Sequence, residues 1–203
     1  MNNIYFVLFV FFFFSCAKMG VITGGEKDTI PPLLVNSIPP QSSINVTSRE
    51  FFFLFDEVIN SEEIKNKLII SPYSDVEYEV ETKKNSLVLT FDSLFESNRT
   101  YILNFADGIK DITEGNKAKT LKYVFSTGSV LDSLVLCGYI KDPLTNELQK
   151  EILVSLYDSN DSLGLFNNKP LYFDYSNDSG FFQIENIKAG FYSLYAFNDK
   201  NTT

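Results

Sequence analysis

The sequence contains no histidine and no tryptophan, and it has only two cysteines among its 203 residues. Without histidine, the Ser-His-Asp and Cys-His arrangements that activate a nucleophile are excluded, as is every zinc site with an imidazole ligand. Basic residues are also scarce, because 17 lysines and arginines face 26 aspartates and glutamates, a net charge of −9. Binding to a nucleic-acid backbone requires an excess of basic residues, so we expect no nucleic-acid partner.

The longest apolar run covers residues 4–14, with the sequence IYFVLFVFFFF. At about 1.5 Å per residue this run is too short to cross a hydrocarbon core of about 30 Å, and it is typical of the h-region of a signal peptide. The run ends at Ser15, and residues 16–30 are small, polar and turn-forming. We therefore predict a signal peptide at residues 1–15, cleavage between Ser15 and Cys16, and a flexible tether at residues 16–30.

The residues at this cleavage site, Phe13-Phe14-Ser15-Cys16, resemble a bacterial lipobox, in which a small residue precedes the cysteine that becomes the lipidated first residue. The resemblance implies a diacylglyceryl thioether on Cys16 and a palmitate-type acyl chain on the new amino terminus. Several such chains hold a protein on a bilayer, so the implied partner is a membrane. Residues 1–3 carry no lysine or arginine, and Phe13 stands where leucine is usual. A plain secretory signal that ends in a cysteine is the alternative.

The second cysteine, Cys137, lies in the apolar run LVLCGYI. If Cys16 is acylated, Cys137 has no partner within the chain, so we expect no intramolecular disulfide. The apolar surroundings predict a small buried residue. A reactive thiol would need an activating neighbour, and the chain has no histidine to supply one.

From residue 31 onward the apolar residues recur at every second position, which is the period of a β-strand. In residues 76–81 (VEYEVE) they alternate with glutamates, as in a half-solvated strand. Residues 51–55 (FFFLF) are apolar on both faces, which predicts an inner strand of a sheet. The single expected helix lies at residues 61–67, with Ser61 as its N-cap. Short strands separated by frequent turns predict an all-β fold of antiparallel β-sandwiches.

Six motifs in the first half of the chain resemble a bacterial Ig-like domain of the SbsA type. In chain order they are PPLLVNSIPP (31–40), FLFDEVI (53–59), NRTY (98–101), GIKD (108–111), GN (115–116) and FSTG (125–128). The resemblance implies an Ig-like β-sandwich over residues 31–128. The lipobox combined with TGGEKDTIPP at residues 23–32 is similar to a group of lipoproteins from Bacteroidota, and this implies a location in the cell envelope.

The GIKD and GN motifs enclose an acidic turn. Asp111 and Asn116 are predicted to hydrogen-bond to the backbone around Gly115. Alternatively, oxygens of Asp107, Asp111, Glu114 and Asn116 surround a calcium ion, but the stretch lacks the alternating D-x-D-x-D spacing of a dedicated calcium loop. A structural turn is the prediction, and we assign no metal and no cofactor.

A second unit is predicted at residues 130–203, because its motifs resemble the carboxypeptidase-regulatory-like, or prealbumin-like, β-sandwich. They are G-x-I-x-D, I-L-V-S-L-Y and D-S-G-x-F-x-I-x-N-I-x-A-G-x-Y-x-L-x-A-F-x-D. Asp178, Gly180 and Gly190 are placed at its turns, where glycine permits a positive φ. Such sandwiches have about seven strands, and the pattern predicts fewer here. The second unit is therefore expected to be incomplete at its C-terminal end, with an exposed edge.

The sequence patterns place no two catalytic side chains so that they could act on one bond. Asp56 and Glu57 are adjacent in an extended segment, so their side chains point to opposite faces and cannot flank one bond as paired carboxylates do. We expect no enzyme. Tyr172, Phe173 and Tyr175 lie in a polar neighbourhood and are the candidate exposed aromatic residues.

The leading hypothesis is a non-catalytic lipoprotein, lipid-anchored at the outer membrane on its periplasmic or its surface face. Its Ig-like β-sandwiches would serve as a structural spacer or as an interaction module for another envelope protein or a glycan. The alternative hypothesis is a carbohydrate-binding lipoprotein that uses exposed aromatic residues.

Overall fold

A computed structural model describes residues 25–118, 121–159 and 169–198. Within these ranges the chain forms β-strands and one short helix. They are β1 (Leu34–Ile38), β2 (Glu50–Phe55), β3 (Ile59–Asn60), α1 (Ile64–Lys67), β4 (Ile69–Ser71), β5 (Tyr78–Lys83), β6 (Ser86–Phe91), β7 (Thr100–Asn104), β8 (Lys110–Asp111), β9 (Lys122–Ser126), β10 (Leu134–Tyr139), β11 (Leu153–Asp158), β12 (Tyr172–Tyr175), β13 (Phe181–Ile187) and β14 (Tyr192–Phe197). We call the part with β1–β9 the first unit and the part with β10–β14 the second unit.

The first unit packs a four-stranded antiparallel sheet, in the order β1-β2-β6-β5, against a three-stranded sheet, in the order β4-β7-β9. Side chains alternate between the faces of a strand, and this places one face of each long strand in a shared core. The core includes Phe51, Phe53, Phe55, Leu87, Leu89, Phe91, Tyr101, Leu103, Phe105, Tyr123 and Phe125. As predicted, β2 is an inner strand, and the all-β class is confirmed.

The predicted half-solvated strand at residues 76–81 is β5, which begins at Tyr78. Tyr78 and Val80 pack against the core of the first unit, while Glu79 and Glu81 are exposed. Because β5 is an edge strand of its sheet, these carboxylates lie beside the unpaired backbone edge.

The second unit has its own core, built between the two-stranded sheet β10-β13 and the three-stranded sheet β12-β11-β14. Its buried residues are Val154, Leu156, Tyr172, Phe182, Ile184 and Ile187. The two cores are separate clusters. The boundaries predicted at residues 31–128 and 130–203 stay predictions.

The predicted N-cap of the helix is wrong. Helix α1 begins after Glu63, which occupies the N-cap position without a side-chain hydrogen bond. The hydroxyl of Ser61 is instead hydrogen-bonded to the hydroxyl of Thr82 in β5. Ser61 is buried, so its hydroxyl finds its partner across the packed interface rather than at the helix end. No helix in the described ranges has the length and hydropathy needed to cross a membrane.

The predicted burial of Cys137 is also wrong, because its side chain is exposed. Cys137 lies opposite Gln183 in the ladder between β10 and β13. Its neighbour in the chain, Leu136, packs against the core. Alternation along β10 therefore places Cys137 on the opposite, outer face.

Candidate functional site: the junction of the two units

A reciprocal pair of hydrogen bonds ties the chain between the two units to the first unit. The backbone N–H of Asp132 donates to Oγ1 of Thr100 at 2.7 Å, and the N–H of Thr100 donates to Oδ2 of Asp132 at 3.3 Å. From the second unit, Nδ2 of Asn186 donates to the carbonyl oxygen of Asp132 at 2.8 Å. Because Thr100 is buried, water competes little for its bonds. Asp132 thus joins β7 to β13.

Two lysines add contacts across the same junction. Nζ of Lys122 lies 2.8 Å from Oε2 of Glu185, and Nζ of Lys188 donates to the carbonyl oxygen of Asn98 at 2.8 Å. The hydrogen bond from Lys122 lowers the pKa of the Glu185 carboxyl. The orientation of the second unit is therefore fixed by polar contacts from several elements.

A groove lies beside these contacts. It consists of two adjoining cavities of about 680 Å³ and about 400 Å³, which share Tyr73, Ser74, Val76 and Lys169. Side chains of Asp75, Ser93, Glu96 and Asp158 line the larger, more polar cavity. Leu68, Ile70, Tyr78, Leu153, Phe173 and Tyr175 line the smaller, apolar cavity. Both units contribute walls, and the volumes fall in the range of small-molecule sites.

Tyr73 is held at the centre of this junction groove. Its backbone N–H donates to the carbonyl oxygen of Leu171 at 2.8 Å, and its hydroxyl donates to the carboxylate of Asp75. The ammonium of Lys169 lies 4.6 Å from the centroid of the Tyr73 ring, a cation–π contact. Hydrogen bonding to Tyr73 raises the pKa of Lys169. The ring is thus fixed in place by residues of both units.

The three candidate aromatic residues divide between core and groove. Tyr172 is buried in the core of the second unit, with its ring 5.8 Å from that of Tyr192. Phe173 and Tyr175 line the groove, and Tyr175 is 42% exposed. The sequence analysis missed Tyr73, because the segment between β4 and β5 carries no strand pattern.

The acidic turn is organised by Asp111, which is buried. Its carboxylate accepts the backbone N–H groups of Glu114 at 2.6 Å, Gly115 at 2.8 Å and Asn116 at 2.9 Å. Gly115 has a φ of +77°, a conformation that favours glycine. Asp111 thus makes the hydrogen bonds that were predicted around Gly115. The prediction for Asn116 is wrong, because its Nδ2 donates instead to the carbonyl oxygens of Asp28 at 3.1 Å and Ile30 at 3.3 Å.

Another carboxylate of the calcium alternative, Asp107, forms ion pairs with two lysines. Nζ of Lys67 and Nζ of Lys117 each lie 2.8 Å from one of its oxygens, and these contacts hold the pKa of Asp107 well below its usual range. In the described part of the chain, no three acidic or cysteine side chains converge so as to hold a metal ion.

With Asp111→Asn, the free energy of unfolding is expected to fall less than in the wild type when the pH is lowered. Burial raises the pKa of Asp111, but the three backbone hydrogen bonds lower it more, so the pKa lies below its ordinary value. A carboxyl of this kind stabilises the fold above its unfolded-state pKa of about 3.9, and the contribution is lost as pH falls through the folded-state pKa. Urea unfolding at neutral pH and near pH 3 should show the wild type and Asp111→Asn converging in acid. The control is Asp178→Asn, at a side chain that is 95% exposed. If the free energy of unfolding fell by the same amount between neutral pH and pH 3 in all three proteins, the prediction would be contradicted.

The turn predicted at residues 178–180 is organised by a neighbouring residue. Oδ1 of Asn177 accepts the backbone N–H of Ser179 at 2.9 Å and of Phe181 at 3.1 Å, whereas Asp178 points outward. Gly180 has a φ of +70°, and a side chain there would meet the carbonyl oxygen of Ile140 at 3.0 Å.

Gly190 does not need a positive φ, in contrast to the prediction. A Cβ atom at this position would lie 3.3 Å from the hydroxyl of Tyr192, so the close approach of this ring is what favours glycine. The lipidation and cleavage residues, Cys16 and Ser15, lie outside the described residues.

Comparison with known structures finds several low-identity similarities. The N-terminal part of the bacterial S-layer protein SbsC aligns over 83% of this chain and 44% of its own length, with 11% identity and a TM-score of 0.37. An L,D-transpeptidase from Mycobacterium smegmatis aligns over 72% of this chain and 76% of its own, with 11% identity and a TM-score of 0.32. The major pilin subunit of Bacillus cereus aligns over 81% and 58%, with 12% identity and a TM-score of 0.26. The chain thus spans less than half of the S-layer protein part.

No curated protein sequence matches the chain. A family model does match its first unit: the model of a bacterial Ig-like domain covers residues 28–127. This range holds the two facing antiparallel sheets and the aromatic core described above. Residues 28–127 therefore match the family of bacterial Ig-like domains.

Proposed function

We propose that this protein is a non-catalytic cell-envelope lipoprotein, anchored at the outer membrane through Cys16, whose two β-sandwich units form a spacer or interaction module. The main support for a spacer role is the set of polar contacts at the junction of the two units. Thr100, Asp132 and Asn186 link the units through hydrogen bonds, and the Lys122–Glu185 ion pair adds a second link. A junction fixed at several points keeps the far end of the second unit at a constant distance from the first unit.

The anchor is supported by the order of segments at the N-terminus. An apolar run of signal-peptide length is followed by Ser15 and Cys16, and then by a polar stretch that leads to the Ig-like domain at residue 28. The similarity to lipoproteins of Bacteroidota and the prealbumin-like character of the second unit belong to the same proposal.

Palmitate labelling tests the anchor. The wild-type chain, expressed in cells that process lipoproteins, should incorporate label and sediment with membranes, because several acyl chains bind a bilayer stably. Cys16→Ala should lose both the label and the membrane association. Cys137→Ala is the matched control and should keep both, since the exposed thiol of Cys137 is not the acylated one. Label that persists in Cys16→Ala would overturn the anchor.

Spin-label distances test the spacer. One label is attached to the exposed thiol of Cys137 in the second unit, and the other to Lys83→Cys at the end of β5. A single narrow distance distribution is expected for the full chain. The double variant Thr100→Val with Asp132→Ala removes both reciprocal bonds and should broaden it. Asp142→Ala, which disturbs only a turn within the second unit, is the control. A broad distribution in the parent protein would exclude a rigid spacer.

A second candidate function, carbohydrate binding, is favoured by the junction groove. Aromatic rings of Tyr73, Phe173 and Tyr175 line it together with the carboxylates of Asp75 and Glu96. Aromatic faces pack against the apolar faces of sugar rings, and carboxylates accept hydrogen bonds from hydroxyl groups.

Glycan-array binding tests this candidate. Tyr175→Ala should weaken the strongest signal at least about tenfold, equivalent to about 1.4 kcal/mol, because it removes one wall of the groove. Tyr139→Ala changes another exposed tyrosine on β10 and should leave the signal unchanged. No binding by the wild type would remove carbohydrate recognition from consideration, and the spacer role would be unaffected.

A further inference from the structure

The segment that leads into β1 is held against the first unit by hydrogen bonds at two places. Nδ2 of Asn116 donates to the carbonyl oxygens of Asp28 at 3.1 Å and Ile30 at 3.3 Å. The N–H of Leu33 donates to Oδ1 of Asp56 at 2.9 Å, and the N–H of Asp56 donates to the carbonyl oxygen of Leu33 at 3.1 Å. The path by which the chain enters the domain is therefore fixed against two separate loops.

Exposed apolar side chains surround this point of entry. Val58 precedes β3 and Ile112 follows β8, and the N–H of Ile112 donates to the carbonyl oxygen of Val58 at 3.3 Å. Val58 is 47% exposed and Ile112 is 62% exposed, and Ile30 and Leu33 in the entering segment are exposed to a similar extent. We call the end of the first unit that carries these four residues the entry end.

The chain leaves the first unit at the opposite end of the same sandwich. Phe51 lies near the start of β2 and packs against Phe125 in β9, with ring centroids 4.8 Å apart. Two residues after β9, the carbonyl oxygen of Gly128 accepts the N–H of Asn45 at 2.8 Å, and the second unit follows. The entry end instead lies beyond the last residue of β2, Phe55. The connection to the second unit therefore does not pass over the entry end.

With Cys16 lipidated, as proposed above, the entry end lies close to the bilayer. Asp28 follows Cys16 by only twelve positions. A chain of this length without secondary structure has an end-to-end distance of about 20 Å and reaches at most about 43 Å. So short a connection gives the entry end a high effective concentration at the bilayer surface, so a contact too weak to bind a free domain is sufficient.

The charge of the entry end indicates which lipids it fits. Burial raises the pKa of Glu57, and so do four nearby carboxylates, those of Asp111, Asp56, Asp28 and Glu114. An anionic lipid surface repels such a group of carboxylates, whereas exposed apolar side chains can enter a neutral interface. A zwitterionic phospholipid surface is therefore the partner that this end of the domain fits.

We propose that the entry end docks on the bilayer that holds the anchor, with Val58 and Ile112 inserted among zwitterionic headgroups. The docking gives the first unit one orientation on the membrane, because the entering segment and the two apolar side chains meet the surface together. This inference rests on the lipid anchor of the proposed function.

Tryptophan fluorescence in vesicles tests the docking, because the chain has no tryptophan of its own. Ile112→Trp and Val58→Trp are made singly in the lipidated full chain and reconstituted into phosphatidylcholine vesicles with or without brominated acyl chains. Bromine quenches a tryptophan that enters the interface. Both variants should show blue-shifted emission and lose most of their intensity to the brominated lipid. Replacing part of the phosphatidylcholine with anionic phosphatidylglycerol should reduce this loss.

The matched control is Ile44→Trp, which replaces a 47% exposed isoleucine beside Asn45, at the opposite end of the domain. Tryptophan itself favours membrane interfaces, but all three variants carry the same probe. Ile44→Trp should keep its intensity in brominated vesicles. Equal quenching at the three positions, or none at positions 58 and 112, would overturn the docking. A blue shift without quenching would also overturn it, because the chain itself would then cover the entry end. Stronger quenching in phosphatidylglycerol would contradict the neutral surface.

Flotation of the same vesicles reads the anchor separately from the docking. A chain that floats with the vesicles but shows no quenching has its anchor and lacks only the docking, so the proposed function would stand without this inference. A chain that does not float has no anchor, and this result would contradict both.

Discussion

Phe51→Ala is expected to lower the free energy of unfolding of the Ig-like domain by about 3–5 kcal/mol, the usual cost of truncating a buried phenylalanine. Phe51 is completely buried. Its ring centroid lies 5.6 Å from that of Phe91, 6.2 Å from Phe95, 5.9 Å from Tyr123 and 4.8 Å from Phe125. The neighbours come from both sheets and from the loop after β6, so the side chain joins all parts of the core.

The cost should lie at the high end of this range because the surrounding rings are poorly able to collapse into the space. Each ring is itself held by further contacts, such as the pair Phe95–Tyr101 with centroids 4.6 Å apart. A residual cavity adds to the lost transfer free energy. Aromatic contacts contribute a further 0.5–1.5 kcal/mol or so per pair.

Denaturant unfolding of the purified chain measures this effect. Phe191→Ala removes the same side chain at a site that is 88% exposed and should change the free energy of unfolding by less than about 0.5 kcal/mol. If the two variants were equally stable, Phe51 would not lie in the core, and the two sheets would not pack against each other as described.

Strand β5 of the first unit was predictable because its side chains alternate in polarity. In residues 76–81 the apolar residues between the glutamates show which positions face the core, since a two-residue period indicates a β-strand. Residues 51–55 are apolar on both faces, which indicated an inner strand. Burial of Cys137 was not predictable in the same way. Its run is apolar at almost every position, so the pattern cannot show which face of the strand is covered, and the outer face of the sheet β10-β13 is open.

The junction groove was not predictable from local pattern. Tyr73 and Lys169 are far apart in the sequence and lie outside strands, so nothing in their neighbourhood indicates that they meet. Their contact depends on the packing of the second unit against the first, which local periodicity does not encode. The hydrogen-bonded turn was easier to predict than the groove, because Asp111 bonds to the backbone of Gly115 and Asn116 only a few residues away.

Two buried serines should respond to alanine in opposite directions. The hydroxyl of Ser126 donates to the carbonyl oxygen of Arg99 at 3.2 Å and accepts the backbone N–H of Gly128 at 3.0 Å. Ser126→Ala leaves the N–H of Gly128 without this partner, while the carbonyl oxygen of Arg99 still accepts from Thr127. Because the Gly128 N–H then loses its hydrogen bond, we expect a loss of about 1–3 kcal/mol. Ser155 is equally buried in β11, but its hydroxyl has no hydrogen-bond partner among the described residues.

Ser155→Ala is therefore expected to raise the free energy of unfolding by about 1 kcal/mol, because it removes a polar group that is buried without compensation. The cavity left by one oxygen is small, so lost packing offsets little of this gain. Urea unfolding of the two variants under identical conditions makes the comparison, since both replace the same side chain at sites of the same burial. A loss of stability in Ser155→Ala as large as that in Ser126→Ala would mean that the Ser155 hydroxyl is hydrogen-bonded in solution.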